Sequence, residues 1–326
     1  MMTVARLRRK PRHFQSFTGL TVQEFDRLLT EVEPAYAADL HAQREHPGRE
    51  RAVGGGRGFA LPMAERLLLG LIYLRLYLTQ SLLAYLFGLD ESNVSRELNH
   101  RLLPILLRVL PVPLRDAPLR AQRKEFQTDE HGKPRKKIRT VEELLLAYPE
   151  LKEVLVDATE QEVPKPKAKL PRKQRFSGKQ HRHTVKTQGV TSNEQILHVF
   201  GGVPGSVADV QLLRASGVLP KLPSKVNVRL DRGYDGIEKE HPQPAIQSPI
   251  KGRRGHKVTA LGKLYNRMLN KERIVVEHLL SKLQKFKLLA GVYRGPWTVH
   301  EDLFCVISGL VNYKATGRFA LTEGND

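Results

Sequence analysis

Up to about residue 118 the apolar positions recur at helical intervals, and beyond about residue 140 they alternate or run together as strands do. Thr21 and Glu24 are spaced as a capping box, which starts a helix predicted to run to about Val32. Two or three longer helices follow between 61 and 108. The most apolar window, LPMAERLLLGLIYLRLYL (61–78), carries Glu65, Arg66 and Arg75. Three charges in so short a window argue against a membrane span, so the window reads as a buried helix. Farther on, Thr140 and Glu143 form a second capping box, for a short helix stopped near Pro149. Val154–Asp157 reads as a buried strand. HTVKTQGVT (183–191) and QILHVF (195–200) read as a hairpin around Ser192-Asn193. Asp209–Ser216 reads as a helix. KVNVRL (225–230) alternates, with Val226, Val228 and Leu230 on one face. AIQSPI (245–250) is an edge strand, because Pro249 has no N–H for a ladder. A long helix spans about Leu261 to Leu289. The pattern predicts an all-helical N-terminal part and an α+β or α/β core.

Within the helical part, QSLLAYLFGLDESNVSRELNHRLL (80–103) has the rhythm of a helix-turn-helix. Ala84 is small, Gly88 supplies the turn, and Asp90 can cap the next helix. Val94 and Leu98 would pack that helix onto Leu83 and Phe87. Ser92, Asn93, Ser95 and Arg96 then fall on or near a groove-facing surface, with Arg96 suited to guanine or phosphate and Asn93 to adenine. Glu97 departs from the motif, occupying a place that is usually apolar. An ordinary helical hairpin gives the same spacing.

Charge adds a partner to this picture. Lys and Arg number 54 against 34 Asp and Glu, a net charge of +20, which points to a polyanion but does not choose among DNA, RNA and lipid. The basic residues concentrate in three zones. Residues 46–58 are rich in Gly and Arg and read as a loop. Residues 119–139 hold eight Lys/Arg against three acids and read as an interdomain linker. Residues 164–182 hold eight Lys/Arg and no acid, and their Pro-Lys alternation favours an extended hairpin or loop over a helix. This gives a helical DNA-binding domain (1–118), a basic linker (119–139) and a second domain (140–326). Cys305 is the only cysteine, which fits a reducing compartment. The basic N-terminus lacks the apolar segment of a signal peptide, so the expected location is cytoplasmic and nucleoid-associated.

The candidate chemistry lies in carboxylates at the ends of apolar runs. Val154-Leu155-Val156 ends at Asp157, and Val226–Leu230 ends at Asp231. In sheets with parallel strands, sites favour that C-terminal edge. On the long helix Asn266, Asn270, Arg273 and Glu277 are spaced 4, 3 and 4, a polar stripe on one face. Leu269, Val276, Leu279, Leu283 and Phe286 form an apolar stripe beside it. Three converging carboxylates suit hard divalent ions, which activate attack on an anionic phosphodiester. Each acid also has a bland role: Asp157 as a turn cap, Asp231 in an Asx-turn, Glu277 as the partner of Arg273 four residues earlier. Asp209, Asp235, Glu160 and Glu162 compete for the same role. Asp209 reads as a helix-start residue and Glu160 as a secondary candidate. There is no zinc-finger spacing, P-loop or GxSxG, and His181 and His183 stand isolated in a basic strand.

The string VDATEQEVPKPK, QRFSGKQHRHTVKTQGV, PGSVADVQLL, LDRGYDG and NRMLNKERIVVEHLLSKLQKFKLL, in that order, resembles the DDE transposases of bacterial insertion sequences. The resemblance is to the insertion-sequence-five-like group, related to Harbinger-type transposases. FTGLTVQEFDRLL (17–29) and the helix-turn-helix resemble that family's N-terminal part. The resemblance implies an α/β fold with an RNase H-like mixed-sheet core. It implies a catalytic, metal-binding triad of Asp157, Asp231 and Glu277, holding two ions of Mg²⁺ or Mn²⁺. It implies cleavage at element ends and 3′-OH attack on target DNA, with no lost acid to suggest an inactive relic. Lys179, His183 and Lys186 would contact DNA, Tyr234 would help position phosphate, and Arg273 would support Glu277. Partners are the terminal inverted repeats, target DNA and further copies of the chain; no membrane is implied. The rivals are a non-catalytic DNA-binding regulator and a nuclease without strand transfer.

Overall fold

The change of period marks a change of architecture. The computed structural model describes residues 1–44, 59–115, 127–128, 134–135, 141, 143–144, 151–192, 195–241, 245–250, 252, 258–317 and 319. The side chains of 43–44, 127–128, 134–135, 232, 270–278 and 280 lie outside that description. So do the Gly/Arg zone 46–58, most of the basic linker, most of the Thr140–Pro149 segment and Asn193 of the hairpin turn. Two compact units result: Met1–Leu110 with Gln284–Gly291, and Pro111–Leu283 with Val292–Asp326. The first unit thus ends earlier than the predicted 118 and takes in a second stretch of chain.

The first unit is helical. Helices α1 (Val4–Arg8), α2 (Pro11–Thr18) and α3 (Val22–Arg44) open it. The capping box forms: Thr21 N–H donates to Glu24 Oε2 at 2.7 Å, and Glu24 N–H donates to Thr21 Oγ1 at 3.2 Å. Helix α3 continues well past Val32, through Pro34, to Arg44. Helix α4 (Met63–Leu76) buries nearly its whole length from Arg66 to Leu74, as its all-round apolar sequence requires. Helices α5 (Gln80–Phe87) and α6 (Glu91–Arg96) follow, and α6 runs through a π-helical turn (Glu97–Leu102) into α7 (Leu103–Val109). The short helix Lys287–Ala290 returns to this unit and packs on α4. Phe286, Leu288 and Leu289 are buried there. A Cβ on Gly19 (φ +82°) would stand 3.2 Å from the Phe286 ring, so glycine serves both backbone and packing.

The second unit is built on a mixed sheet. Its strands are β1 (Glu153–Glu162), β2 (Arg182–Thr191), β3 (Ile196–Pro204), β4 (Asn227–Leu230) and β5 (Ile246–Gln247), in the order β3-β2-β1-β4-β5. The first three pair antiparallel, and β4 and β5 run parallel to β1. Strand β5 is the predicted edge, though only two residues long. The basic segment between β1 and β2 is not all extended: α8 (Lys169–Arg175) forms once the Pro-Lys alternation ends, and Phe176-Ser177 then pairs with Arg182-His183. Helix α9 (Asp209–Ser216) has the predicted bounds. Val154, Val156, Val190, Leu213, Val228, Leu230 and Tyr234 share one apolar cluster.

Helix α10 (Ala260–Gln284) buries Leu269, Leu279 and Leu283 of the predicted apolar stripe, and Asn266 staples it to the strand-edge segment. Asn266 Oδ1 accepts from Ile250 N–H at 2.8 Å, and its amide donates to Ile250 O at 3.0 Å. Helix α11 (His300–Thr316), which the hydrophobic pattern does not announce, packs on β3. There Asn312 serves as a strand partner, accepting from Ile196 N–H at 2.8 Å and donating to Ile196 O at 2.9 Å and Pro111 O at 3.0 Å. The second unit is an RNase H-like α/β core, and the helical unit stands apart from it as a fold. Among the described residues, no helix is long and apolar enough to cross a membrane.

Candidate active site

Two adjacent parallel strands each end an apolar run in aspartate. Val156 of β1 is in register with Leu230 of β4. Asp157 and Asp231 therefore follow this last parallel pair side by side, both half-buried; Asp231 comes just after β4, but β1 runs on to Glu162, so Asp157 lies within its strand and not at its end. Asp157 Oδ1 accepts from the N–H of Ala158 at 2.8 Å, a contact within its own strand. Asp231 heads the short turn Arg232–Tyr234 but makes no side-chain cap hydrogen bond to it.

Tyr234 shows how close the acids stand. It is 1% exposed, and its hydroxyl has no hydrogen-bond partner among the described residues. Burial pushes the phenol well above its ordinary value, and the charges of Asp157, Asp209 and Asp231 push it further. The ring is core, packed in the apolar cluster, so it backs the acids from within the sheet.

Lys186 does not face DNA. It is 4% exposed, and its ammonium donates to Val207 O and Asp209 Oδ1, both at 2.7 Å, with Glu160 Oε1 at 3.4 Å. Its donors are taken up inside the protein, which removes the expected phosphate contact. Glu160 is in register with Lys186 and accepts from Thr184 Oγ1 at 2.7 Å. Glu160 lies three positions after Asp157, so alternation sets them on opposite faces of β1. Asp209 and Glu160 therefore belong to a second polar cluster behind the acid pair. Asp209 does start its helix, as its place in the sequence implies, but its carboxylate is also held by Lys186.

The segment of α10 holding Arg273 and Glu277 is helical, but both side chains lie outside the described residues. Among those described, no group of three or more His, Cys, Asp and Glu side chains is placed to hold a metal. The donors present nonetheless fit a hard divalent ion. They are carboxylate oxygens, and the buried phenol beside them leaves its oxygen unpartnered. Lys179 is exposed, and His183 is half-buried with its ring edge on Phe176 at 5.6 Å. Lys165, Lys167, Lys169, Arg172 and Lys173 are also exposed, so this stretch forms a basic surface.

In the helical unit Gly88 adopts φ +67° between α5 and α6. Leu83, Phe87, Val94 and Leu98 are buried as the motif requires. Ser92, Asn93 and Arg96 are exposed and Ser95 is half-buried, with Arg96 Nη1 donating to Asn93 Oδ1 at 3.1 Å. Asp90 takes the N-cap position, its carbonyl accepting from Asn93 and Val94 N–H, but its side chain makes no cap hydrogen bond; Oδ2 accepts from the Asn93 amide at 3.5 Å instead. Glu97 is no exposed misfit. It is 5% exposed and paired with Arg66 at 2.6 Å and Arg101 at 3.2 Å. Beside it a cavity of about 640 Å³ is lined by Phe59, Asn93, Arg96 and Arg101 among others.

The fold is an RNase H-like α/β core with two adjacent aspartates, joined to a helical unit with a helix-turn-helix. Comparison with known proteins narrows the class. The family described as DDE superfamily endonuclease matches residues 156–312, and the helix-turn-helix of DDE superfamily endonuclease matches residues 59–110. A protein of Microchaete diplosiphon described as "Probable transposase for insertion sequence element IS702" is 31% identical over 305 residues, 93% of this chain and 94% of the relative. No solved structure matches. The chain belongs to the DDE transposases of insertion sequences. It is an enzyme that acts on DNA, its family depends on divalent metal, and the non-catalytic regulator drops out.

Proposed function

We propose that this transposase cuts DNA at the ends of its element and joins the freed 3′-OH to target DNA, using Asp157, Asp231 and Glu277 as one metal-binding site. The observation that carries the reading is the register of Val156 with Leu230, which sets two aspartates side by side where the parallel pairing of β1 and β4 ends. Glu277 is the third acid on this reading because it lies on the polar stripe of α10, with Arg273 as its support. Two Mg²⁺ or Mn²⁺ ions held by these carboxylates supply charge neutralisation and Lewis-acid activation at the phosphodiester. The protein's own share is to fix the two aspartates on a rigid sheet, to close the space behind them with Tyr234, and to guide DNA along the basic surface of 164–182. Lys179 and His183 belong to that DNA-guiding surface, and Ser92, Asn93, Ser95 and Arg96 read the terminal inverted repeats. Synapsis of two ends calls for more than one copy of the chain.

The test uses end-bearing duplex DNA with Mg²⁺ or Mn²⁺. Asp157→Ala, Asp231→Ala and Glu277→Ala should each abolish nicking and leave DNA binding largely intact. Wild-type rates of nicking in all three overturn the assignment. A joining assay on pre-cut ends separates strand transfer from simple cleavage.

A further inference from the structure

A second, buried polar cluster ties the two aspartate-bearing strands together from behind. It starts on β1, where Glu160 lies 3.4 Å from the Lys186 ammonium and accepts from Thr184 at 2.7 Å. From Lys186 on β2 it passes to Asp209 at the head of α9, at 2.7 Å. It ends at the turn that follows Asp231. A Cβ on Gly233 would stand 2.7 Å from Asp209 Oδ2, so only glycine lets that carboxylate lie against the turn. The connection Pro204–Asp209 wraps the same lysine, with the Val207 carbonyl also 2.7 Å from Nζ. Gly205 allows the wrap, since a Cβ there would collide with Thr184 Oγ1 and Gly205 N–H donates to Thr184 O at 3.0 Å.

We propose that Lys186 and Asp209 are a positioning pair: they clamp the Asp231–Tyr234 turn to the β1 side of the sheet, so that Asp231 stays beside Asp157 before any metal arrives. The proposal rests on the reading of Asp157 and Asp231 as metal ligands. Two like charges side by side repel. Without a restraint the turn bearing Asp231 would relax away, and metal binding would have to draw it back. An ammonium that already has three oxygen partners inside the protein is placed to resist that relaxation while touching neither ligand.

The experiment measures Mn²⁺ affinity by calorimetry on the DNA-free full chain, alongside melting in chelator. Lys186→Met and Asp209→Asn should each weaken Mn²⁺ by roughly ten-fold or more, and the double variant should be no weaker than the worse single. Lys186→Arg should recover part of the loss. Gly233→Ala, which leaves both charges in place but displaces Asp209, should weaken Mn²⁺ in the same way. It also keeps the test open if Lys186→Met fails to fold. If the variants lower the melting temperature but bind Mn²⁺ as wild type does, the pair is only structural and the proposal falls. Asp157→Asn and Asp231→Asn serve as reference. If these too leave Mn²⁺ binding unchanged, the metal-site reading itself fails and the clamp falls with it, an outcome distinct from failure of the clamp variants alone.

Discussion

The Glu97 carboxylate lies 2.6 Å from the Arg66 guanidinium, with both side chains 6% exposed. The guanidinium carbon stands 3.8 Å from the Phe59 ring centre and 4.1 Å from that of Tyr36. Burial lowers the arginine's pKa, and the charge and hydrogen bond of Glu97 oppose that shift. Removing one partner strands the other: Glu97→Ala should destabilise the helical unit by about 3–5 kcal/mol. Arg66→Met in the same chain should recover much of that loss. Equilibrium denaturation of both variants checks this, and a cost near zero for Glu97→Ala would mean that water already reaches Arg66.

Arg96 and Asn93 are exposed on α6 and bonded mainly to each other. Alanine at either should leave the melting temperature nearly unchanged. Affinity for element-end DNA over random DNA should fall by about 1–3 kcal/mol for each base edge no longer read. An equal fall in affinity for both DNAs would assign these residues to phosphate instead.

The exposed lysines and arginines of 164–182 predict a salt effect. Replacing Arg172, Lys173 and Lys179 by alanine should lower the slope of log affinity against log salt by about 0.9 for each phosphate no longer neutralised. Titrations across a series of salt concentrations measure it. An unaltered slope would show that DNA passes elsewhere.

His300 predicts a pH effect. Its Nε2–H donates to Gln161 Oε1 at 2.8 Å, and its Nδ1 is buried without a partner among the described residues. A proton added there is a buried charge with no acceptor, so burial lowers the pKa from 6.5 to about 4. The folded state holds fewer protons than the unfolded state between these values, so this stability is full above pH 6.5 and declines as pH falls toward 4. From about pH 8 to about pH 5 the loss should be about 2 kcal/mol, and His300→Leu should flatten it. Denaturation at the two pH values gives the difference, whatever the variant's absolute stability.

Asp157 and Asp231 are legible in the sequence because one closes a continuous apolar run and the other an alternating one, and both patterns belong to strands. The far half of β1 is not, because Thr159–Glu162 has no apolar position to mark a strand; Lys186 and Thr184 pair with it only in the fold. The clamp is hidden for the same reason: Lys186 and Asp209 are brought together only by strand register and the return through Gly205. Helix α3 passes Pro34, a residue type that commonly ends a helix, so its length is visible only in the structure. Helix α11 leaves little trace because it is buried along almost its whole length, and an apolar run without a polar face carries no helical period.

The chain contributes to the helical unit twice, at its start and again at Gln284–Gly291. Glu277 lies seven residues before that return, about 10 Å along a helix. A fragment ending at Leu110 would lack Phe286, Leu288 and Leu289 and uncover the part of α4 on which Lys287–Ala290 packs. The DNA reader is therefore not a detachable cassette. Exchanging it between transposases takes three junctions: after Leu110, between Glu277 and Gln284, and after Gly291. A chimera spliced at one point should be insoluble unless residues 284–291 are supplied with it.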